Sequence, residues 1–251
     1  MIAPIAGVRD WAGAMLALLL PRACVVCGRL NDRGDDGLAC ARCWNRVTTL
    51  AAPRCDRCGH PVGVRRCTWC DLLPPHVRSG RSVCWIDRGT GAAIVHELKY
   101  AGWHALAEPM AERMSRLSWP EDVMRERTAL VPVPLSGARE RERGFNQSAC
   151  LAAALARRWT MPAWTDVLVR ARSTETQTRL TPEARRRNVS GAFRAVAGTR
   201  ERLRGAHIVL VDDVVTTGAT LVECATALLD GGARIVSFVT FGRAPASGDQ
   251  R

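Results

Sequence analysis

The sequence predicts an α/β protein in which a small cysteine-rich region precedes a mainly parallel β-sheet flanked by helices. Eight of the eleven cysteines lie within the first 70 residues, and beyond residue 77 apolar runs of strand length alternate with segments of helical periodicity. Such alternation favours right-handed crossovers, which leave consecutive strands parallel. With 251 residues, 47% of them hydrophobic, the chain is long enough to fold as a small unit plus a medium one.

An apolar stretch near the start ends before a proline. Residues 11–20 form a run of about ten, roughly half of what a membrane-spanning helix needs, so we expect an apolar helix over 1–22 and no membrane span. Arg9 is offset by Asp10 and the run leads into cysteines, which is not typical of a secretory signal. We therefore expect a cytoplasmic protein. Residues 244–251 have the composition of a disordered tail.

Four C-x-x-C pairs occupy the cysteine-rich region, residues 23–76. Each two-residue gap aims two sulfurs at one point, and two pairs supply the thiolates of a tetrahedral Zn²⁺ site. Spacers of 12, 11 and 8 residues favour two consecutive ribbons, with a cross-braced pairing as the alternative. Structural disulfides and a redox motif are disfavoured by the missing secretory signal and the fourfold repetition. The predicted ligands of two structural zinc ions are Cys24, Cys27, Cys40, Cys43, Cys55, Cys58, Cys67 and Cys70.

The stretch from residue 208 to 220 indicates a phosphate site. Four aliphatic residues form a buried strand, Asp212 and Asp213 follow at its carboxyl end, and a threonine-rich loop opens a helix. Ligands of open α/β sheets bind at this edge. The carboxylates suit ribose hydroxyls or the water shell of Mg²⁺, while backbone N–H groups and hydroxyls hold phosphate. The predicted phosphate-binding residues are Thr216, Thr217, Gly218, Ala219 and Thr220.

Two further segments carry charge that suits a pyrophosphate. A strand ending in Pro-Val-Pro is followed by closely spaced arginines, which predicts a rigid pyrophosphate loop containing Val133, Pro134, Arg141 and Arg143. Because Glu140 and Glu142 alternate with these arginines, the start of a salt-bridged helix is the alternative. The polar, basic segment between residues 169 and 193 is long enough for a lid over a charged ligand, and an exposed loop is equally compatible.

These residues resemble the 5-phosphoribosyl 1-diphosphate (PRPP) motif of type I phosphoribosyltransferases, and the whole set resembles the ComF family of competence proteins. The resemblance rests on the four cysteine pairs, Leu98-Lys99-Tyr100, Val131-Pro-Val-Pro134, Arg143-Gly-Phe-Asn-Gln147, Gln177 with Arg185-x-x-Asn188, and the PRPP loop. It implies a double zinc ribbon followed by a type I phosphoribosyltransferase-like domain over residues 77–243. Asp212 and Asp213 would hold the ribose hydroxyls as catalytic residues, and the threonine loop the 5′-phosphate. Lid or substrate contacts are expected from Lys99, Gln177, Arg185 and Asn188.

The resemblance implies Mg²⁺-dependent phosphoribosyl transfer from PRPP to an unidentified acceptor, in natural transformation or DNA uptake. The alternative is a non-catalytic protein that handles single-stranded DNA, contacts the DNA-uptake machinery and uses PRPP as a regulatory ligand. The formal net charge of +12, about +8 with two tetrathiolate zinc sites, favours a polyanionic partner. Candidate phosphate contacts around the second ribbon are Arg54, Arg57, Arg65 and Arg66, with solvated surface arginines as the alternative. Since Lys99 is the single lysine, arginine-rich composition explains the excess equally well.

Overall fold

A computed structural model describes residues 23–31, 37–62, 67–87, 89–172 and 189–245. The predicted helix over 1–22, Arg65 and Arg66, most of the predicted lid, and all but two residues of the predicted tail lie outside these ranges. Nowhere in the described ranges does a helix combine the length and the apolarity that crossing a bilayer requires.

Strands and helices alternate through the larger part of the chain, as predicted. The strands are β1 (Val77–Trp85), β2 (Arg127–Pro132), β3 (Leu168–Arg170), β4 (Phe193–Ala195), β5 (His207–Val215) and β6 (Ile235–Arg243). The α-helices are α1 (Ala41–Asn45), α2 (Thr90–Tyr100), α3 (Ala107–Ser115), α4 (Glu121–Glu126), α5 (Gly137–Arg143), α6 (Gln147–Trp159), α7 (Arg200–Leu203) and α8 (Ala219–Asp230). Short 3₁₀ helices cover Thr68–Leu72 and His104–Leu106.

A four-stranded parallel sheet in the order β1-β6-β5-β2 lies at the centre, which confirms the predicted fold class. The central strand β5 is buried almost throughout. Parallel strands buried on both faces need apolar residues in continuous runs, and the aliphatic sequence from Ile208 to Val211 provides one. Strands β3 and β4 form a separate antiparallel pair.

Two hydrophobic cores lie on opposite faces of this sheet. Ile208 and Leu210 belong to one core and Val209 and Val211 to the other, because alternate side chains of a strand point to opposite faces. The first core contains α8, β3, β4 and cysteines of the second ribbon. The other contains α2, α3, α6 and cysteines of the first ribbon. Each ribbon is therefore built into a different layer of the molecule.

Both ribbons are joined to the β1 edge of the sheet by backbone hydrogen bonds. Beyond the first ribbon, the Leu50 N–H donates to the Val83 carbonyl at 3.1 Å, and the Trp85 N–H donates to the Thr48 carbonyl at 2.9 Å. In the second ribbon, the Arg57 carbonyl accepts from the Gly80 N–H at 2.6 Å. These bonds satisfy an edge that would otherwise expose unpaired backbone groups.

Candidate functional site

The eight predicted zinc ligands form two groups of four. Cys24, Cys27, Cys40 and Cys43 form one group and Cys55, Cys58, Cys67 and Cys70 the other, with the sulfurs of each group within 4.8 Å of one another. All eight are free thiols. This confirms the consecutive pairing and excludes the cross-braced and disulfide alternatives.

The sulfur spacing fits tetrahedral zinc. Four ligands about 2.3 Å from one ion lie about 3.8 Å apart. In the first group the Cys24–Cys43 and Cys27–Cys40 sulfurs are 3.7 and 3.9 Å apart, and in the second the two closest pairs are at 3.3 Å. Gly28 and Gly59, one residue after a knuckle, have φ of 70° and 68°, as the tight turns require.

In each group of four cysteines, one thiol has a pKa below the usual value. Burial opposes ionisation of Cys24, but backbone N–H groups, including that of Cys40, outweigh it and lower its pKa to about 6. The pKa of Cys55 is lowered to about 7 in the same way, against the same burial effect. Since zinc binds thiolates, one ligand of each group is favoured in its metal-binding form, whereas burial raises the pKa of Cys43, Cys58 and Cys70.

A cleft of about 670 Å³ opens at the carboxyl ends of β2 and β5 and at the start of α8. The sequence-predicted residues that line it are Lys99, Val133, Pro134, Arg143, Asp212, Asp213, Thr216, Gly218, Ala219 and Thr220. Thr217 and Arg141 are not among its lining residues, and Gln177, Arg185 and Asn188 lie outside the described residues. Arg139, Gln147 and Arg170 also line it.

The two adjacent aspartates at the end of β5 have different partners. The Ser148 hydroxyl donates a 2.8 Å hydrogen bond to Asp212 Oδ1, which also accepts the Asp213 N–H at 2.9 Å. Lys99 Nζ lies 2.5 Å from Asp213 Oδ2. Lys99, predicted as a lid or substrate contact, stands in the last turn of α2 and neutralises one member of the acidic pair.

The electrostatics of this pair follow from burial and proximity. Burial raises the pKa of Asp212, the Asp213 charge raises it further, and the Ser148 hydrogen bond and Lys99 oppose them, leaving it at about 8. Burial alone would lower the pKa of Lys99, but the carboxylates of Asp213 and then Asp212 raise it. The single lysine of the chain is therefore a fixed positive charge in the cleft.

The threonine-rich loop forms the start of α8, as predicted. Gly218 precedes the helix with φ of 77°, a left-handed conformation that glycine adopts without strain. The Ala219 N–H points back to the Thr217 hydroxyl at 3.4 Å. With Thr216 exposed and Thr220 half-buried on the cleft wall, the loop presents hydroxyls and N–H groups to a negatively charged ligand.

The segment predicted as a pyrophosphate loop is partly a helix, and no ion pair in the described ranges joins its arginines to Glu140 or Glu142. Residues 137–143 form α5, with the Ser136 hydroxyl accepting from the Arg139 N–H. Positions four apart share a helix face, whereas positions two apart do not. Arg139 and Arg143 therefore line the cleft together, while Arg141 is exposed on another side of the helix.

The sequence did not identify Ser148 as a site residue, although its hydroxyl donates a hydrogen bond to Asp212. Asn146 begins α6, because its side chain accepts from the Ser148 and Ala149 N–H groups, and it also donates to the Val133 carbonyl at 3.1 Å. This cap fixes Ser148 opposite Asp212. An asparagine before a helical pattern is the sequence signal for the cap, but no local signal indicates a partner 64 residues away.

Arg57 is a predicted phosphate contact, but its guanidinium group donates hydrogen bonds within the protein. Its side chain donates to the carbonyls of Leu73 and Pro74 at 2.8 and 2.7 Å, closing the second ribbon onto the chain that enters β1.

Comparison with protein families agrees with this division of the chain. Residues 15–73 match the double zinc ribbon domain, and residues 146–250 match the phosphoribosyl transferase domain. Fold and site together define a zinc-ribbon protein with a phosphoribosyltransferase-type domain.

Curated relatives cover most of the chain. The "DNA utilization protein YhgH" of Salmonella typhi is 34% identical over 231 residues, 87% of this chain and 96% of the relative. "Competence protein ComFC" of Bacillus subtilis is 29% identical over 209 residues, 78% of this chain and 80% of the relative. "Competence protein F" of Haemophilus influenzae is 35% identical over 144 residues, 57% and 55% of the two chains. The chain belongs to the ComF family.

Proposed function

We propose that the cleft binds PRPP with Mg²⁺ and transfers its phosphoribosyl group to an acceptor nucleophile. The observation that carries this proposal is the convergence of an acidic pair, a threonine-rich helix start and three arginines, Arg139, Arg143 and Arg170, on one cleft. A ribose bearing both a phosphate and a pyrophosphate needs all three features, and the match to the phosphoribosyl transferase domain supports the same ligand.

Each group of the cleft has a distinct task in this proposal. The loop from Thr216 to Thr220 holds the 5′-phosphate with backbone N–H groups and hydroxyls. Asp212 and Asp213 accept hydrogen bonds from the ribose hydroxyls. Arg139 and Arg143 bind the pyrophosphate oxygens, and Arg143 is held in place by the Gln147 side-chain oxygen, which accepts from it at 2.6 Å.

The cleft fits a divalent cation, because buried carboxylate oxygens of the acidic pair face it. Bound there with PRPP, Mg²⁺ would neutralise charge on the pyrophosphate. In the transfer step the bond from ribose C1 to the pyrophosphate oxygen breaks and pyrophosphate leaves with the electron pair. A nucleophile on the acceptor then forms the new bond to C1. The arginines stabilise the charge that develops on the leaving group.

Calorimetric titration of PRPP with and without Mg²⁺ tests the ligand. We expect the double variant Asp212→Asn and Asp213→Asn to abolish Mg²⁺-dependent binding, because each amide keeps the shape but loses the charge. The matched control changes Asp166 and Asp230, both exposed and outside the cleft, to Asn. Equal PRPP affinity in the cleft variant and the control would overturn the assignment.

A second candidate is a protein that handles single-stranded DNA and binds PRPP as a regulatory ligand without turnover. The observation that favours it is that relatives are named for DNA utilization and competence, together with the net charge of +12. A pyrophosphate-release assay with PRPP, Mg²⁺ and a panel of bases and oligonucleotides separates the two. Release with one acceptor supports transfer. PRPP binding without release, coupled to a change in oligonucleotide affinity, supports the second candidate and a cytoplasmic role at the DNA-uptake machinery.

A further inference from the structure

A second cleft of about 590 Å³ lies between the first ribbon, β1 and the end of α3. It shares no lining residue with the PRPP cleft. Four arginines line it against one carboxylate, that of Asp56; they are Arg54, Arg81, Arg113 and Arg116. Its volume is in the range of ligand clefts, about 300–1,000 Å³.

Three of these arginines form no salt bridge in the described ranges, although the charge of Asp56 acts on Arg81 and that of Glu112 on Arg113. The three are Arg54, Arg81 and Arg113. Their hydrogen-bond acceptors are mainly backbone carbonyls: Arg81 donates to that of Ser118 at 2.7 Å, Arg113 to that of Pro109 at 2.9 Å, and Arg54 to that of Leu50. Carbonyls hold the guanidinium groups in place without cancelling their charge.

Burial makes this charge costly. Arg81 is 5% exposed, and Nε of Arg54 is buried without a hydrogen-bond partner. Burial lowers the pKa of Arg113, with Glu112 opposing and Arg116 adding to the effect. An anion entering the cleft would relieve the repulsion between the guanidinium groups.

The aromatic ring that lines the cleft, Trp44, already has a cationic partner. The Arg113 guanidinium lies 3.8 Å from the Trp44 ring centroid, and the Arg81 guanidinium lies 5.4 Å from the centroid of Trp119, which is outside the lining. These contacts position the two arginines, and Arg113 covers a face of Trp44 that would otherwise stack a nucleobase. The cleft therefore offers charge and hydrogen-bond donors, which select phosphate oxygens.

We propose that this arginine cleft is a phosphate-binding site, in which Arg54, Arg113 and Arg116 contact the ligand and Arg81 is the fixed charge beneath it. The phosphate belongs either to a small phosphorylated compound or to the backbone of a single-stranded oligonucleotide. Planar guanidinium groups bind both in the same way, so the two sources need separate probes.

The test compares Arg113→Gln with Arg116→Gln as a double variant against Arg194→Gln with Arg204→Gln. The control pair is exposed, lies outside both clefts and changes the net charge equally. Two probes are used. Binding of inorganic pyrophosphate is measured by calorimetry without Mg²⁺, and binding of a fluorescent oligothymidylate is measured by fluorescence anisotropy over a salt series. Zinc content and thermal melting confirm that both variants are folded.

We expect the cleft variant to lose about tenfold in affinity for at least one probe, because it loses two charged donors of hydrogen bonds to phosphate and solvent screens such contacts. Loss for pyrophosphate indicates a small phosphorylated ligand. Loss for the oligonucleotide alone, with a salt slope lower by about 1.4 for two lost contacts, indicates a nucleic-acid backbone. If neither probe distinguishes the cleft variant from the control, the proposal is overturned.

Discussion

Replacing Ser148 by alanine tests whether Asp212 is the carboxylate that titrates in the PRPP cleft. The Ser148 hydroxyl donates to Asp212 Oδ1 at 2.8 Å, and both side chains are buried. This bond stabilises the charged form and so opposes the burial that raises the pKa of Asp212 to about 8. Its removal therefore raises that pKa further.

The size of the shift follows from the difference between two hydrogen bonds. A bond to a charged acceptor contributes about 1.5–3 kcal/mol and a neutral one about 1 kcal/mol, so the variant disfavours ionisation by about 0.5–2 kcal/mol. At 1.36 kcal/mol per unit, the middle of this range raises the pKa by about one unit. The Asp213 N–H still donates to the same oxygen, so the carboxylate keeps one hydrogen bond in the variant.

Two measurements report the shift. Because the pKa of Asp212 is raised on folding, its ionisation costs stability as the pH rises from the ordinary carboxyl value to about 8. The free energy of unfolding of Ser148→Ala should fall more above that pH than below it. Mg²⁺-dependent PRPP affinity should rise with pH, with a midpoint about one unit higher than in the wild type.

Ser115→Ala is the matched control, since its hydroxyl donates to the Glu112 carbonyl at the same 2.8 Å but outside the cleft. Asp212→Asn should abolish the pH dependence. A Ser148→Ala protein that folds with both profiles unmoved would refute the assignment of the titration to Asp212.

Two other outcomes follow from the ribbons and from α5. Metal analysis should find about two Zn²⁺ per chain. The double variant Cys55→Ser with Cys58→Ser should lose one zinc and bind PRPP more weakly. The double variant Cys24→Ser with Cys27→Ser should also lose one zinc, but with a smaller effect on PRPP binding. Arg143→Gln should weaken pyrophosphate binding by about tenfold, and Arg141→Gln, on the same helix but outside the cleft, should leave it nearly unchanged in the same calorimetric titration.

Long, strongly patterned segments were predictable. Local sequence signals mark helices α6 and α8, because an asparagine cap begins α6 and a glycine pair follows the last residue of α8. The zinc ligands were predictable from spacing alone, since a C-x-x-C knuckle is a local structure that needs no distant partner.

Short or polar elements could not be predicted from the sequence in this way. Helix α5 carries no buried residue, so hydrophobic periodicity gives no signal for it, and its arginines and glutamates suggested a loop as readily as a helix. The ion pair between Lys99 and Asp213 joins residues 114 positions apart, as their numbers show, and only the parallel order of β1, β6 and β5 brings α2 to the end of β5. Local sequence patterns do not predict contacts that depend on the order of strands in the sheet.

The second ribbon and the threonine-rich loop share one hydrophobic core, so we expect the zinc of that ribbon to support the proposed PRPP site. Leu73 follows the last zinc ligand of this ribbon by three residues and is buried beside Gly218, where a Cβ would lie 3.9 Å from its side chain. Cys58, Leu73 and Ala219 belong to the same hydrophobic cluster. A ribbon this short cannot fold on its own apolar surface, so zinc supplies most of its folding energy. Loss of that zinc would remove the wall against which the loop is ordered, while loss of the first zinc would disturb the opposite face of the sheet.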